Sequence, residues 1–386
     1  MSTLKVNSIQ HSNGTDALTI DSTGHATFNK TFIPANPLTN RNLIINGDFQ
    51  VDQRATLPLL NSNAESDIWL VDRFKSRFFY ASGSDVNMSY EKRTDGLIKI
   101  TSNFSPNWSS GANNWFAMAT ALEQRDANYL AGKTITISFD FESNVTGNFS
   151  IGLLFGTGGG AASNIDYATL FNYTAGSGIQ RISKTITVPN SVPVNGGLND
   201  AGLRLQMFGV ADDVLNQYVT TPDTWGNTNK WVATGNTNWI QSGNWIAFGN
   251  IQLEVGDTAT PFEHRPYDME LARCLRYCWQ HTAEDNYEIY AVSACYSTSN
   301  SYAAYKYPVK MRAFPTVSFS ATSDFQLLES LAAHTCTSVF GSEISSTSCQ
   351  LDMHSTSNLV AGNAALIRAN GVATDGTHYI RFDAEL

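Results

Sequence analysis

The chain has 386 residues and a net charge of −10, with only 15% of its residues charged. This acidity, without any cluster of Lys and Arg, excludes a nucleic-acid partner, because a phosphate-binding face needs concentrated cations. No apolar run has the length of a signal peptide or a membrane span, so neither Sec export nor membrane insertion is expected.

Five cysteines, an odd number without metal-knuckle spacing, are expected to be reduced thiols of a protein assembled in a cytoplasm. The length allows two or three domains, each with its own core. Plentiful Asn, Ser, Thr and Gly suit an all-β protein whose surface is polar through amides and hydroxyls.

Residues 1–37 are short alternating segments (Leu4 and Val6; Leu18 and Ile20; Ala26 and Phe28) separated by the turn dipeptides Asn13-Gly14 and Thr23-Gly24. This stretch is too short and too sparsely apolar to build a core, so it must pair with copies of itself or with another protein. Pro34 and Pro37 mark the boundary to the next region, 38–265.

Strands follow closely there. Residues 42–49 read as the first. Residues 134–141 alternate, with Ile135, Ile137, Phe139 and Phe141 inward. Phe149, Ile151, Leu153 and Phe155 form another inward row, and Leu203, Leu205 and Met207 a further one. Ile182, Ile186 and Val188 define a strand closed by Pro189. Ile251, Leu253 and Val255 close the series before Gly256-Asp257 and Pro261 stop it. Strands separated by Gly, Asn and Ser loops predict an antiparallel sandwich.

The pattern then changes period. Leu271, Cys274, Leu275 and Cys278 fall at helical spacing, predicting a helix over 268–280 within a linker, 266–282. Asp268 and Glu270 at its start and Arg273 and Arg276 toward its end complement the helix dipole. Its apolar stripe must pack, either on the flanking sandwiches or around a threefold axis, and the sandwich is favoured because two heptads make a weak coiled coil. Residues 283–386 return to strands at 287–292, 315–321 and 377–384, a second, smaller β-sandwich. The fold expected is therefore all-β: an extended N-terminal β arm, a central antiparallel jelly roll, one linker helix and a smaller C-terminal β-sandwich.

An enzyme would need convergent chemistry, and none is expected. The chain lacks a Gly-x-Ser-x-Gly elbow, a phosphate loop ending in Lys and a His-Glu-x-x-His helix. Gly156-Thr-Gly-Gly-Gly160 reads as a loop between strands. The carboxylate pairs Asp140/Glu142 and Asp212/Asp213, which glycan cleavage could use, read as solvated side chains. The strongest constellation is aromatic: Trp225, Trp231, Trp239 and Trp245 lie in one stretch that repeats Gly-Asn-Thr-Asn. A Trp face stacks on a sugar ring while Asn, Thr and Gln read its hydroxyls. Trp225, Trp231 and Trp239 are therefore candidate glycan or receptor contacts, with Trp108 and Trp115 a second set. Trp245, abutting the last strand, reads as core.

Several runs carry a resemblance. Ser2-Thr-Leu-Lys-Val-Asn-Ser-Ile-Gln and Gly14-Thr-Asp-Ala-Leu-Thr-Ile-Asp-Ser-Thr-Gly24 resemble the attachment segment of marine, cyanophage-like tail fibres. Asn42-Leu-Ile-Ile-Asn-Gly-Asp-Phe49, with Trp69 and Asp72-Arg73-Phe74, resembles the opening of carbohydrate-binding-module-like jelly rolls, and Trp245-Ile-Ala-Phe-Gly-Asn-Ile-Gln-Leu-Glu254 their last strand. Together they resemble tail-fibre and receptor-binding proteins of tailed bacteriophages. That resemblance implies a homotrimer located in the virion tail. It implies attachment through Leu4, Val6, Ile9, Leu18 and Ile20 to a baseplate, tail or neck protein, and a distal tip meeting a host-surface glycan or outer-membrane protein. It further implies a structural Ca²⁺ held by Asp48 and Glu254. A structural collar, whisker or decoration protein and a glycan-cleaving tail spike are the alternatives.

Overall fold

The structure is a computed structural model, which describes residues 6–10, 16–28, 39–62, 67–79, 88–103, 115–156, 167–175, 178–194, 196–211, 219–226, 232–356, 358–371 and 377–386. The chain divides into two compact units, 1–41 and 42–386. In the first, β1 (Ser8–Gln10), β2 (Asp16–Ile20) and β3 (Ala26–Phe28) form an antiparallel sheet in chain order. Ile9 stands opposite Leu18, and Leu18 opposite Phe28. The Asp21 carboxylate fixes the turn by accepting bonds from the backbone N–H of Thr23 and of His25, each at 2.9 Å, while Gly24 takes a φ of +87°. Val6 and Ile9 are exposed, and Leu4 lies outside the described residues.

In the second unit two six-stranded antiparallel sheets face each other. One orders β13 (Gln180–Thr187), β10 (Thr134–Ser143), β17 (Trp245–Val255), β8 (Ile98–Ser102), β7 (Met88–Lys92) and β4 (Leu59–Ser62). The other orders β12 (Tyr167–Ala175), β11 (Gly147–Phe155), β14 (Ala201–Ala211), β9 (Trp115–Glu123), β6 (Phe74–Phe79) and β5 (Ile68–Val71). The chain crosses repeatedly between sheets, with α1 (Gln124–Leu130) at one crossing, as in a jelly roll. A short parallel pair, β15 (Val219–Thr220) and β16 (Val232–Ala233), lies outside both sheets.

Alternation explains the core. Ile135, Ile137, Phe139 and Phe141 of β10 are buried together with Phe149, Phe208 and Phe248 from both sheets. Phe141 stacks on Phe208 at 5.1 Å and meets Tyr173 edge-on at 5.2 Å. Each such ring contributes roughly 1.5–3 kcal/mol through burial alone. Residues 42–49, expected as a strand, form none. Two buried asparagines replace ladder pairing there. Asn42 donates to the Ile251 carbonyl at 2.9 Å and accepts from the Ile44 and Leu253 N–H groups. Asn46, at φ +61°, donates to the Val51 and Asp72 carbonyls, each at 2.8 Å.

The predicted helix is shorter than expected. The helix α2 spans Tyr267–Cys274, and Cys278–Thr282 is instead strand β18. Trp279 explains the switch: its ring stacks on Phe382 at 5.1 Å and Tyr305 at 5.4 Å, which requires an extended backbone paired with β27 (Tyr379–Asp383). The helix meets the sandwich through the buried Glu270, which accepts bonds from the Asn46 N–H and from Arg265, while Leu271 and Leu275 of its apolar stripe are half-buried. The C-terminal module sets β18, β27 and β21 (Thr316–Phe319) against a seven-stranded sheet. That sheet orders β23 (Ala332–Thr335), β22 (Phe325–Glu329), β26 (Ala364–Ala369), β19 (Ile289–Cys295), β20 (Asn300–Lys306), β25 (Ser348–His354) and β24 (Ser338–Ser342). Its apolar core is separate from that of the jelly roll.

Buried charges join the two modules. The Arg73 guanidinium pairs with Glu385 and lies 3.5 Å from the centre of the Tyr277 ring. Arg54 reaches Asp383 at 2.8 Å and Glu385 at 3.5 Å. Glu123 accepts from Arg276 at 2.6 and 2.9 Å and from the Tyr277 hydroxyl at 2.8 Å. Burial pushes the Glu123 carboxyl up, but the bonds from Arg276 and Tyr277 outweigh it and hold it below the usual range.

Asp72 behaves oppositely. It accepts from the Gln53 N–H at 2.7 Å and from the Gln53 side chain at 2.8 Å, yet burial holds its carboxyl at about 6 despite nearby Arg54. An acid raised in the fold contributes stability that is full below its unfolded value of 3.8 and is lost as pH rises through 6. Urea unfolding at about pH 4 and pH 7 is therefore expected to show wild type losing stability relative to Asp72→Asn as pH rises. A constant difference between the two proteins would remove that assignment.

Candidate glycan-contact groove

The edge strands β12 and β13, one from each sheet, border the same open side of the jelly roll. Thr169, Lys184, Thr185, Thr187, Asp223 and Trp225 line a groove of about 340 Å³ there. Burial along β13 alternates between half-buried and exposed, as expected for an edge strand whose inward side is only partly covered. The half-buried Trp225 is fixed by donation from its indole N–H to the Thr187 carbonyl at 3.0 Å, with its ring 5.8 Å from Phe155. Asp223 takes a φ of +61° and bonds through its N–H to the Leu170 carbonyl, which turns its carboxylate toward Lys184 at 2.6 Å.

The groove therefore offers one apolar wall, the backbone edge of β13 and an accessible ion pair. A pyranose presents a C–H face and a rim of hydroxyls, which match this mixture. Sequence reasoning found Trp225 and missed Lys184, Asp223 and Thr169. Asp223 was within reach, since Pro222-Asp-Thr-Trp225 is a turn signal next to the aromatic residue. Lys184 and Thr169 become neighbours only when the two sheets close.

The other tryptophans divide. Trp239 is no surface contact: it is fully buried, edge-on to Phe116 at 5.4 Å, with its N–H bonded to the Phe208 carbonyl at 3.2 Å. The indole turns inward although Thr234 and Asn238 beside it are exposed, so polar neighbours in the chain do not mark an exposed ring. Trp115 begins β9 half-buried, with the Arg77 guanidinium 5.4 Å from its ring. Trp245 is only half-buried, with Lys99 5.4 Å from its ring. Trp108 and Trp231 lie outside the described residues.

Asp48 and Glu254 have separate partners. Both Glu254 oxygens are taken inside the 254–260 turn, by the Thr260 N–H at 2.9 Å and its hydroxyl at 2.7 Å, with Gln252 at 2.8 Å. Asp48 faces Gln50 at 3.3 Å and His264 at 3.7 Å. Among the described residues, no three His, Cys, Asp or Glu side chains converge as a metal site. Asp140 is bound by Arg181 at 3.1 Å and Asn250 at 2.6 Å, and Glu142 by Arg93 at 2.6 Å. Asp212 and Asp213 lie outside the described residues.

No protein-family model and no curated protein matches this chain. Matching solved structures include one described as "CBM4 structure and function", 17% identical over 55% of this chain and 98% of that one, with a TM-score of 0.27. Another is the enzymatically active domain of bacteriophage CBA120 tailspike protein 4, 12% identical over 56% and 21%, TM-score 0.28. The C-terminal family 22 carbohydrate-binding module of Clostridium thermocellum Xyn10B is 11% identical over 52% and 96%, TM-score 0.27. At such identities and TM-scores these likenesses bear on neither ligand nor activity. The all-β sandwich stands on the strand pairing itself.

Proposed function

We propose that the protein binds a host-surface glycan, without cleaving it, as part of a phage tail fibre. The observation that carries the glycan reading is the groove: a half-buried Trp225 fixed by its bond to the Thr187 carbonyl and set among Thr169, Thr185, Lys184 and Asp223. The fibre reading is supported by the residue resemblance at the N-terminus and by an arm sheet of three short strands that leaves Val6 and Ile9 exposed. Such an arm gains stability from a virion partner or from two further copies, and three chains multiply weak sugar contacts by avidity.

The test is calorimetric titration of the full chain with a panel of host-surface oligosaccharides. Trp225→Ala is expected to weaken binding about tenfold or more at unchanged melting temperature. Equal affinities for variant and wild type would remove the groove from the reading. Sedimentation is expected to give three times the 42.2 kDa chain mass, and a single-chain mass would refute the trimer.

A further inference from the structure

The outward face of the second sheet carries a concentration of positive charge that neither the core nor the module joint uses. Lys75 and Arg77 project from β6 opposite Ala119 and Ala117 of β9, and Arg204 projects from β14 opposite Ala121. The alanines leave room for three long side chains to lie over the strand. Asp67 pairs with Lys75 at 3.0 Å and with the Arg77 Nε at 3.0 Å.

Arg204 is left over. It is 4% exposed, and its Nη1 has no hydrogen-bond partner among the described residues. Burial and then repulsion from Arg77 hold its pKa down at about 9, with Asp67 opposing. A guanidinium in that position costs stability unless something anionic completes it, because its fork is shaped for bidentate oxygen acceptors. Exposure rises along the cluster, from 8% at the Arg77 side chain to 14% at Lys75 and 36% at Asp67, so the cluster meets solvent on the Asp67 side. Two indoles stand beside the cations: Trp69 lies 4.9 Å from the Lys75 ammonium, and Trp115 5.4 Å from the Arg77 guanidinium.

We infer that Arg204, with Arg77 and Lys75, receives an anionic oxygen group, carboxylate or sulfate, carried on a sugar of a host-surface polysaccharide. The flanking tryptophans hold the cations in place, Trp69 beneath Lys75 and Arg54 and Trp115 beneath Arg77. This names the ligand class and rests on the glycan reading above. It also reconciles an acidic chain with an acidic polymer: a net charge of −10 repels such a ligand everywhere except at a local positive pocket.

The experiment titrates the full chain with oligogalacturonate, its neutral methyl ester and a sulfated oligosaccharide of equal length. Wild type is expected to bind one anionic form about tenfold or more more tightly than the ester, and the preferred form tells carboxylate from sulfate. Arg204→Met is expected to erase that preference, to leave ester binding unchanged and to keep or raise the melting temperature, since it removes an unpaired buried cation. If Arg204→Met does not fold, Lys75→Met, at the more open end, is read in the same way. Equal binding of acid and ester by wild type, or a preference that survives in the folded Arg204→Met protein, overturns the anion pocket. Ester binding that Trp225→Ala weakens would leave the glycan reading standing in that case. Binding to none of the sugars overturns both.

Discussion

Glu385→Ala is expected to lower the unfolding free energy of the chain by about 3–5 kcal/mol. Arg73 is 2% exposed, and both its backbone N–H and its guanidinium bond to Glu385. Removing the carboxylate leaves that guanidinium buried against Tyr277 without an anion, and takes one of three acidic partners from Arg54. The cost comes from stranding a cation in a dry joint rather than from losing one attraction. Urea or thermal unfolding checks it, with Arg73→Met/Glu385→Ala as the control: with the cation gone as well, most of the loss is expected to be recovered. A loss within about 1 kcal/mol, the range of exposed pairs, would show that the joint is wet.

The second large effect falls at Trp239. Its replacement by alanine is expected to cost about 3–5 kcal/mol, because the indole fills the jelly-roll core against Phe116 and bonds the Phe208 carbonyl. Trp239→Phe keeps much of the volume but strands that carbonyl, so a smaller loss is expected. Trp239→Ala and Trp225→Ala thus separate two residues from one aromatic run: the first changes stability, the second affinity. Glycan binding that collapsed in Trp239→Ala without any fall in melting temperature would contradict the core assignment.

These two residues show where local sequence stops being informative. Gly-Asn-Thr-Asn follows Trp225 and also precedes Trp239, so composition around the rings is nearly the same. Which indole faces the core depends on where the 232–244 segment crosses between sheets, a long-range matter. Strands were legible where one face is apolar over several residues, as in Thr134–Ser143 and Gly147–Phe155. Residues 42–49 misled because burial does alternate there, with Ile44 and Phe49 buried and Leu43 and Ile45 half-buried. The backbone nevertheless meets β17 at isolated bonds (Leu43 N–H to the Leu253 carbonyl, Ile251 N–H to the Gly47 carbonyl), and Asn42 and Asn46 side chains bond the rest. The helix was legible at its acidic start and not at its end, where stacking of Trp279 with β27 outweighed helical spacing. The pairing of Arg73 with Glu385 spans 312 residues and leaves no local signature.

The placement of that joint has a mechanical consequence. Arg54 and Arg73 grip residues 383 and 385, at the C-terminal end of β27, the middle strand of its sheet. Arg312, within the C-terminal module, donates to the carbonyls of Ala384 and Glu385 and, across the joint, to the Asn199 carbonyl at 3.1 Å. A pull on the C-terminal module therefore shears several ion pairs at once instead of stretching the short covalent link through α2. Under tension, the two modules should yield together in one step, and the direction set by the jelly roll should hold until that step occurs.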